Sequence, residues 1–161
     1  GTPVAGMIRF NSTTSGFEGY DGSAWGAIGG GESNTPAFAV KVGTTQSLSE
    51  TTVTKVDFDT EHFDTDSAFD TTNYRFTVPT GKAGKYFISS FFRINSETSS
   101  NLLSIQAYIY KNGSSYVLTN ESTSANYTTS TTPNVTAIMD LSEGDYIEIY
   151  GYNRSLLINY I

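Results

Sequence analysis

Chemistry in this chain would have to begin at residues 57–70, where Asp57, Asp59, Glu61, Asp64, Asp66 and Asp70 crowd around the single histidine, His62. Ser67, His62 and Asp64 supply the three residue types of a nucleophile, base and orienting acid. They lie too close together along one strand or loop to converge in that way, so His62 reads as a solvated side chain. Hard cations such as calcium take carboxylate oxygens. The alternation Asp57-x-Asp59-x-Glu61 sets three carboxylates on one face of a continuing strand, and these three are the candidate calcium ligands. The stretch lacks the glycine and the spacing of an EF-hand loop, and a solvated acidic face explains it equally. Paired carboxylates also serve glycoside hydrolysis, but the spacing fixes no separation between them. Gly81-Lys82-Ala83-Gly84-Lys85 lacks the length, the Ser/Thr and the following helix of a phosphate loop, so it is expected to be a turn. Trp25 and Tyr20 could stack on a sugar, yet in so short a segment they are expected to pack on each other.

Composition narrows the classes further. The chain has no cysteine, which removes disulfide frameworks, thiolate metal sites and cysteine nucleophiles together. Its net charge is −7 with no Lys/Arg run, so it offers no electrostatic footprint for nucleic acid or an anionic membrane. No apolar stretch approaches the roughly 20 residues a membrane-spanning helix requires, and no membrane insertion is expected. Position 1 is glycine and not methionine, so the chain is expected to be part of a longer or processed polypeptide. Asn-x-Ser/Thr sequons occur at Asn11, Asn112, Asn120, Asn126, Asn134 and Asn153, as a chain this rich in Ser and Thr produces by chance.

The elements that must position these residues are strands. Tyr, Phe and Thr are abundant, charged residues are sparse, and no segment sustains a 3.6-residue period. Residues 1–31 form a unit apart: Met7–Phe10 and Phe17–Tyr20 alternate around a polar turn, a hairpin signal, and Gly29-Gly30-Gly31 makes a boundary. This segment is too small for its own core and is expected to be stable only against copies of itself or the following domain. Residues 32–161 carry strand-like runs at Phe38–Val42, Val53–Phe58, Tyr74–Val78, Lys85–Ile94, Leu102–Tyr110, Tyr116–Leu118, Asn134–Leu141, Asp145–Tyr152 and Leu156–Ile161. Turn signals such as Pro79-Thr80-Gly81, Asn112-Gly113 and Glu143-Gly144-Asp145 separate them. An all-β sandwich or barrel follows.

Several of these strands are apolar or aromatic on both alternating faces, whereas a sandwich needs only one. The surplus face is expected to meet a neighbouring subunit. Tyr86, Phe92, Tyr108, Tyr110, Tyr146 and Tyr150 are the candidate interface residues, since a tyrosine ring can bury while its hydroxyl keeps a partner.

The runs Val56-Asp57-Phe58-Asp59, Phe69-Asp70, Arg75-Phe76-Thr77-Val78-Pro79, Ala83–Ser89, Tyr110-Lys111-Asn112-Gly113 and Leu141–Asp145 occur in an order and spacing that resembles the complement component one q-type globular head, a tumour-necrosis-factor-like jelly roll. The resemblance covers residues 36–152. It implies a jelly-roll β-sandwich of about ten antiparallel strands assembled as a homotrimer, usually on a fibrous stalk. The chain departs from that family after Arg154, running directly into Leu156–Ile161 without the loop and Gly-Phe pair that precede the last strand, so no ligand or calcium site on that loop carries over. Separately, Gly6–Asn11, Phe17–Gly22 and Trp25 resemble the short segments that precede C-terminal domains in bacteriophage tail-fibre and virion proteins. Together these imply a non-enzymatic, virion or extracellular trimeric knob that attaches to a host-surface glycan or protein through the loops Gly43–Thr52, Asn95–Asn101 and Thr119–Thr132. A secreted complement-q-like lectin or pattern-recognition module is the alternative, and a fibre-borne depolymerase the third reading.

Overall fold

A computed structural model of the chain describes residues 1–28, 35–96, 102–122 and 129–155. The expected strand at Leu156–Ile161 lies outside them. The chain divides into two compact units, Gly1–Thr35 and Pro36–Ile161.

The first unit is a three-stranded antiparallel meander of β1 (Ile8–Asn11), β2 (Gly16–Tyr20) and β3 (Trp25–Ala27). In the second unit follow β4 (Phe38–Lys41), β5 (Thr54–Lys55), β6 (Thr60–Asp64), β7 (Phe69–Asp70), β8 (Arg75–Thr77), β9 (Gly84–Phe91), β10 (Ile94–Asn95), β11 (Leu102–Lys111), β12 (Ser114–Ser122), β13 (Ser130–Thr131), β14 (Asn134–Leu141) and β15 (Tyr146–Ser155). One sheet runs β12-β11-β15-β8-β7 with β5 alongside β15; β14 pairs with β9, β4 with β6 and β10 with β13. Every pairing is antiparallel. The described part of the second unit is an all-β, sandwich-like fold.

Alternation decides what each strand buries. Ile105, Ala107 and Ile109 of β11 and Ile147 and Ile149 of β15 turn inward, as do Ile88 of β9 and Val135, Met139 and Leu141 of β14. The layers touch through specific pairs. The ring of Phe76 on β8 lies 5.5 Å from that of Tyr86 on β9. A Cβ on Gly151 would sit 3.0 Å from the Phe92 ring, so a glycine is what lets that phenylalanine reach the sheet.

The turns around Gly81, Asn112 and Gly144 are tied together by hydrogen bonds. Asn112 and Gly113 both take positive φ, at 51° and 77°, and form the two-residue connection between β11 and β12 in which Lys111 faces Ser114. The Asn112 side chain accepts from Tyr146 N–H at 2.9 Å and donates to Asp145 at 2.7 Å. Gly81 N–H donates to Glu143 at 3.0 Å, and Gly144 N–H to the Val78 carbonyl at 3.0 Å. Gly81–Ala83 therefore belong to the turn into β9, with Gly84 and Lys85 already in that strand, and the turn is held by backbone donors and not shaped around a phosphate.

Candidate functional site

The acidic segment is distributed, not convergent. β6 begins only at Thr60, so the expected alternation of Asp57, Asp59 and Glu61 along one strand is broken. Asp59 accepts from Gly43 N–H at 2.6 Å and from the Thr60 hydroxyl at 2.9 Å. These two bonds, the first the stronger influence, hold its carboxyl below its ordinary pKa. The Asp57 N–H donates to the Gln46 side chain at 3.0 Å, while Glu61 is exposed on β6. Among the described residues no three His, Asp or Glu side chains gather as a metal-binding group, so Asp57, Asp59 and Glu61, the expected calcium ligands, are not brought together as one. Asp64 accepts from the Phe69 and Asp66 N–H groups, capping a turn, and His62 is exposed. The imagined triad with Ser67 has no support in this arrangement.

An open cleft of ≈ 450 Å³ lies beside β7 and β8, its acidic lining being Asp66, Asp70 and Glu143. Asp70 accepts from the Asn73 side chain and from the Thr72 and Asn73 N–H groups, which hold its carboxyl below the ordinary range. Glu143 is similarly lowered by the Gly81 N–H. The Asp70 and Glu143 carboxylates are thus engaged in holding turns.

Tyr108, Tyr110, Tyr146 and Tyr150 do share one face, the side of the β11–β15 sheet away from the core. Tyr110 stacks on Tyr150 at 4.1 Å, Tyr108 meets Tyr110 edge to face at 6.0 Å, and the Arg75 guanidinium lies 4.9 Å from the Tyr146 ring centre. The Tyr108 hydroxyl donates to Gln106 and that of Tyr150 to Glu148. Burial pushes both phenols above their ordinary pKa. Beneath them Glu148 is paired with Lys55 at 2.5 Å. This face largely satisfies its own rings and hydroxyls.

Tyr86 and Phe92 differ from the other four. Phe92 is 9% exposed in the core, and Tyr86 packs against that core with its hydroxyl donating to the Lys82 carbonyl. Tyr86 shares the inward face of β9 with Ile88 and Ser90, and Phe92, just past the end of that strand, continues the same alternation. The opposite face of that pair carries Phe87 across from Ile138, Ser89 across from Thr136 and Phe91 across from Asn134. Phe87, Phe91 and Ile138 are 70%, 68% and 71% exposed, the three most exposed large apolar side chains among the described residues. The ladder also carries polar pairs: Lys85 meets Asp140 at 3.0 Å at one end, and the Ser89 and Thr136 hydroxyls, 3.2 Å apart, lie between Phe87–Ile138 and Phe91. Two rings and an isoleucine held open to water, with the Ser89–Thr136 pair between them, form the strongest candidate interaction surface.

In the first unit Tyr20 and Trp25 pack at 5.3 Å, and the Arg9 guanidinium lies 4.2 Å from the Trp25 ring centre while bonding Glu18. The tryptophan is thus engaged by its own sheet. Of the sequons, Asn153 is buried and Asn112 is bound within its turn, whereas Asn120 and Asn134 stand exposed on strands; Asn126 lies outside the described residues.

No family model matches the chain, and no curated protein matches it. Among the described residues no helix is long and apolar enough to cross a membrane.

Proposed function

We propose that the chain is a non-enzymatic homotrimeric knob of a fibre or virion tail, with its jelly-roll unit assembled through the β9–β14 face and its loops used for attachment to a surface glycan or protein. The observation that supports this reading is the exposed ladder of Phe87, Ile138 and Phe91. Each such side chain gains about 1.5–3 kcal/mol on full burial, and a second copy supplies the same apolar surface. The tyrosine face is the weaker seat for assembly, because its rings and hydroxyls already find partners within the chain. The non-enzymatic reading rests on an exposed lone histidine and on carboxylates engaged in turns.

A trimer presents three copies of each loop, so weak polar contacts sum to useful avidity. Gly43–Thr52 is the attachment loop that lies wholly within the described residues; residues 97–101 and 123–128 of the other two lie outside them. Mass measurement on Phe87→Asp/Ile138→Asp and on Tyr110→Ser/Tyr150→Ser separates the two faces. The reading expects the first pair to yield single chains and the second to remain trimeric. Dissociation by the tyrosine pair alone would move the interface to that face, and a monomeric parent chain would remove the knob reading. On a glycan array, the trimer should retain ligands that the Phe87→Asp/Ile138→Asp chain loses.

A further inference from the structure

The sheet of the first unit has two unlike faces. Arg9, Asn11, Glu18, Tyr20 and Trp25 alternate to one side, where Glu18 bonds both Arg9 and Asn11. The other side carries Ile8, Phe10 opposite Phe17, and Ile28, whose N–H donates to the Phe17 carbonyl. Phe10 and Phe17 meet edge to face at 5.4 Å, and the Ile28 side chain fills the space over Gly19, 3.0 Å from where a Cβ would stand. Next to it Gly26 has nothing within 4 Å of a Cβ position, leaving an open seat among apolar side chains. Ile8, Phe10, Phe17 and Ile28 are 67%, 58%, 60% and 47% exposed. No residue of 1–28 is buried, so its strands of four, five and three residues make a minimal sheet with no enclosed core.

We infer that this apolar face packs against the same face of two further copies of the chain, forming a second self-association site. The inference rests on the trimer reading above. The charged residues alternate away from this face, so copies meet without like-charge repulsion, and the open Gly26 seat receives a projecting ring. Taking about 200 Å² for an aromatic side chain, the exposed parts sum to roughly 400 Å² per copy. A standard interface buries about 800 Å² per partner. The face is therefore too small to gather free copies and depends on the second unit to hold them at high effective concentration.

The absence of cysteine makes single cysteine substitutions clean probes. Ile8→Cys lies on the apolar face and Ala27→Cys on the opposite face. In the trimer, Ile8→Cys should react with a polar maleimide at least tenfold more slowly than in the same variant carrying Phe87→Asp/Ile138→Asp, with Ala27→Cys equally reactive in both. A short bis-maleimide should link chains of the Ile8→Cys variant and leave those of the Ala27→Cys variant unlinked. A trimeric mass with equal reactivity and no selective linking would overturn the inference while leaving the trimer reading intact. Protection that persists in single chains would assign the cover to the chain itself and likewise overturn it. A monomeric parent would remove the reading on which the inference rests. If the Phe87→Asp/Ile138→Asp variant fails to fold, the linking contrast in the parent trimer still decides.

Discussion

Replacing Asn112 tests whether one turn ties the β11–β12 connection to the entry of β15. Asn112 holds a φ of 51°, and alanine in that left-handed region costs about 1–2 kcal/mol. Its side chain also accepts the Tyr146 N–H at 2.9 Å, a bond worth about 1 kcal/mol. The third contact reaches the Asp145 carboxylate, where water competes, and no stability is assigned to it. Asn112→Ala should therefore lose about 2–3 kcal/mol, which lowers Tm by about 4–12 °C in a domain of this size. Asn112→Gly tolerates the positive φ and forfeits only the side-chain bond, so it should fall between the parent and Asn112→Ala. Differential scanning calorimetry at equal protein concentration reads all three, a condition that matters for any assembling chain. Equal melting of the alanine and glycine variants would refute the conformational part of the reasoning. Parent-like melting of both would refute the tie itself.

Two further predictions follow from the same end of the molecule and from the core. Asp145 is held down to about 2 from an ordinary 3.8 by the Lys111 ammonium first, then the Asn112 side chain and the Ser142 N–H. The native state favours its charged form, so its contribution is complete above pH 3.8 and is lost as pH falls through about 2; acid melting curves of Asp145→Asn should be flatter than the parent's across that window. Gly151→Ala places a methyl 3.0 Å from the Phe92 ring and 3.2 Å from Leu48, and should destabilise by about 1–3 kcal/mol. Pairing it with Phe92→Leu should recover part of that loss in a urea titration.

Turn chemistry and strand existence were legible from residue types alone. Asn112-Gly113 demands positive φ wherever it falls, and Asn134–Leu141 appears with the bounds its alternation indicates. Inward and outward faces were less legible where both were apolar. Tyr86 and Phe92 on one side of the Lys85–Ile94 run and Phe87 and Phe91 on the other give the same period of two, and only the packing of Tyr86 on Phe76 and of Phe92 on Gly151 distinguishes them. The acidic alternation misled for a related reason. A carboxylate such as Asp59 that caps Gly43 N–H leaves the strand, and no local pattern marks that long-range bond. Val53–Phe58 likewise reads as one strand but forms a strand only at Thr54–Lys55, with one further bond from the Val56 N–H to the Ile149 carbonyl of β15.

The central claim, assembly through the Phe87–Ile138–Phe91 ladder, is tested most directly by the mass of the parent chain at low micromolar concentration, measured by light scattering with and without a calcium chelator. The account predicts the mass of three chains, unchanged by chelation. The mass of a single chain would contradict it, and a trimer that falls apart on chelation would show that the carboxylates assigned to turns hold a metal ion instead.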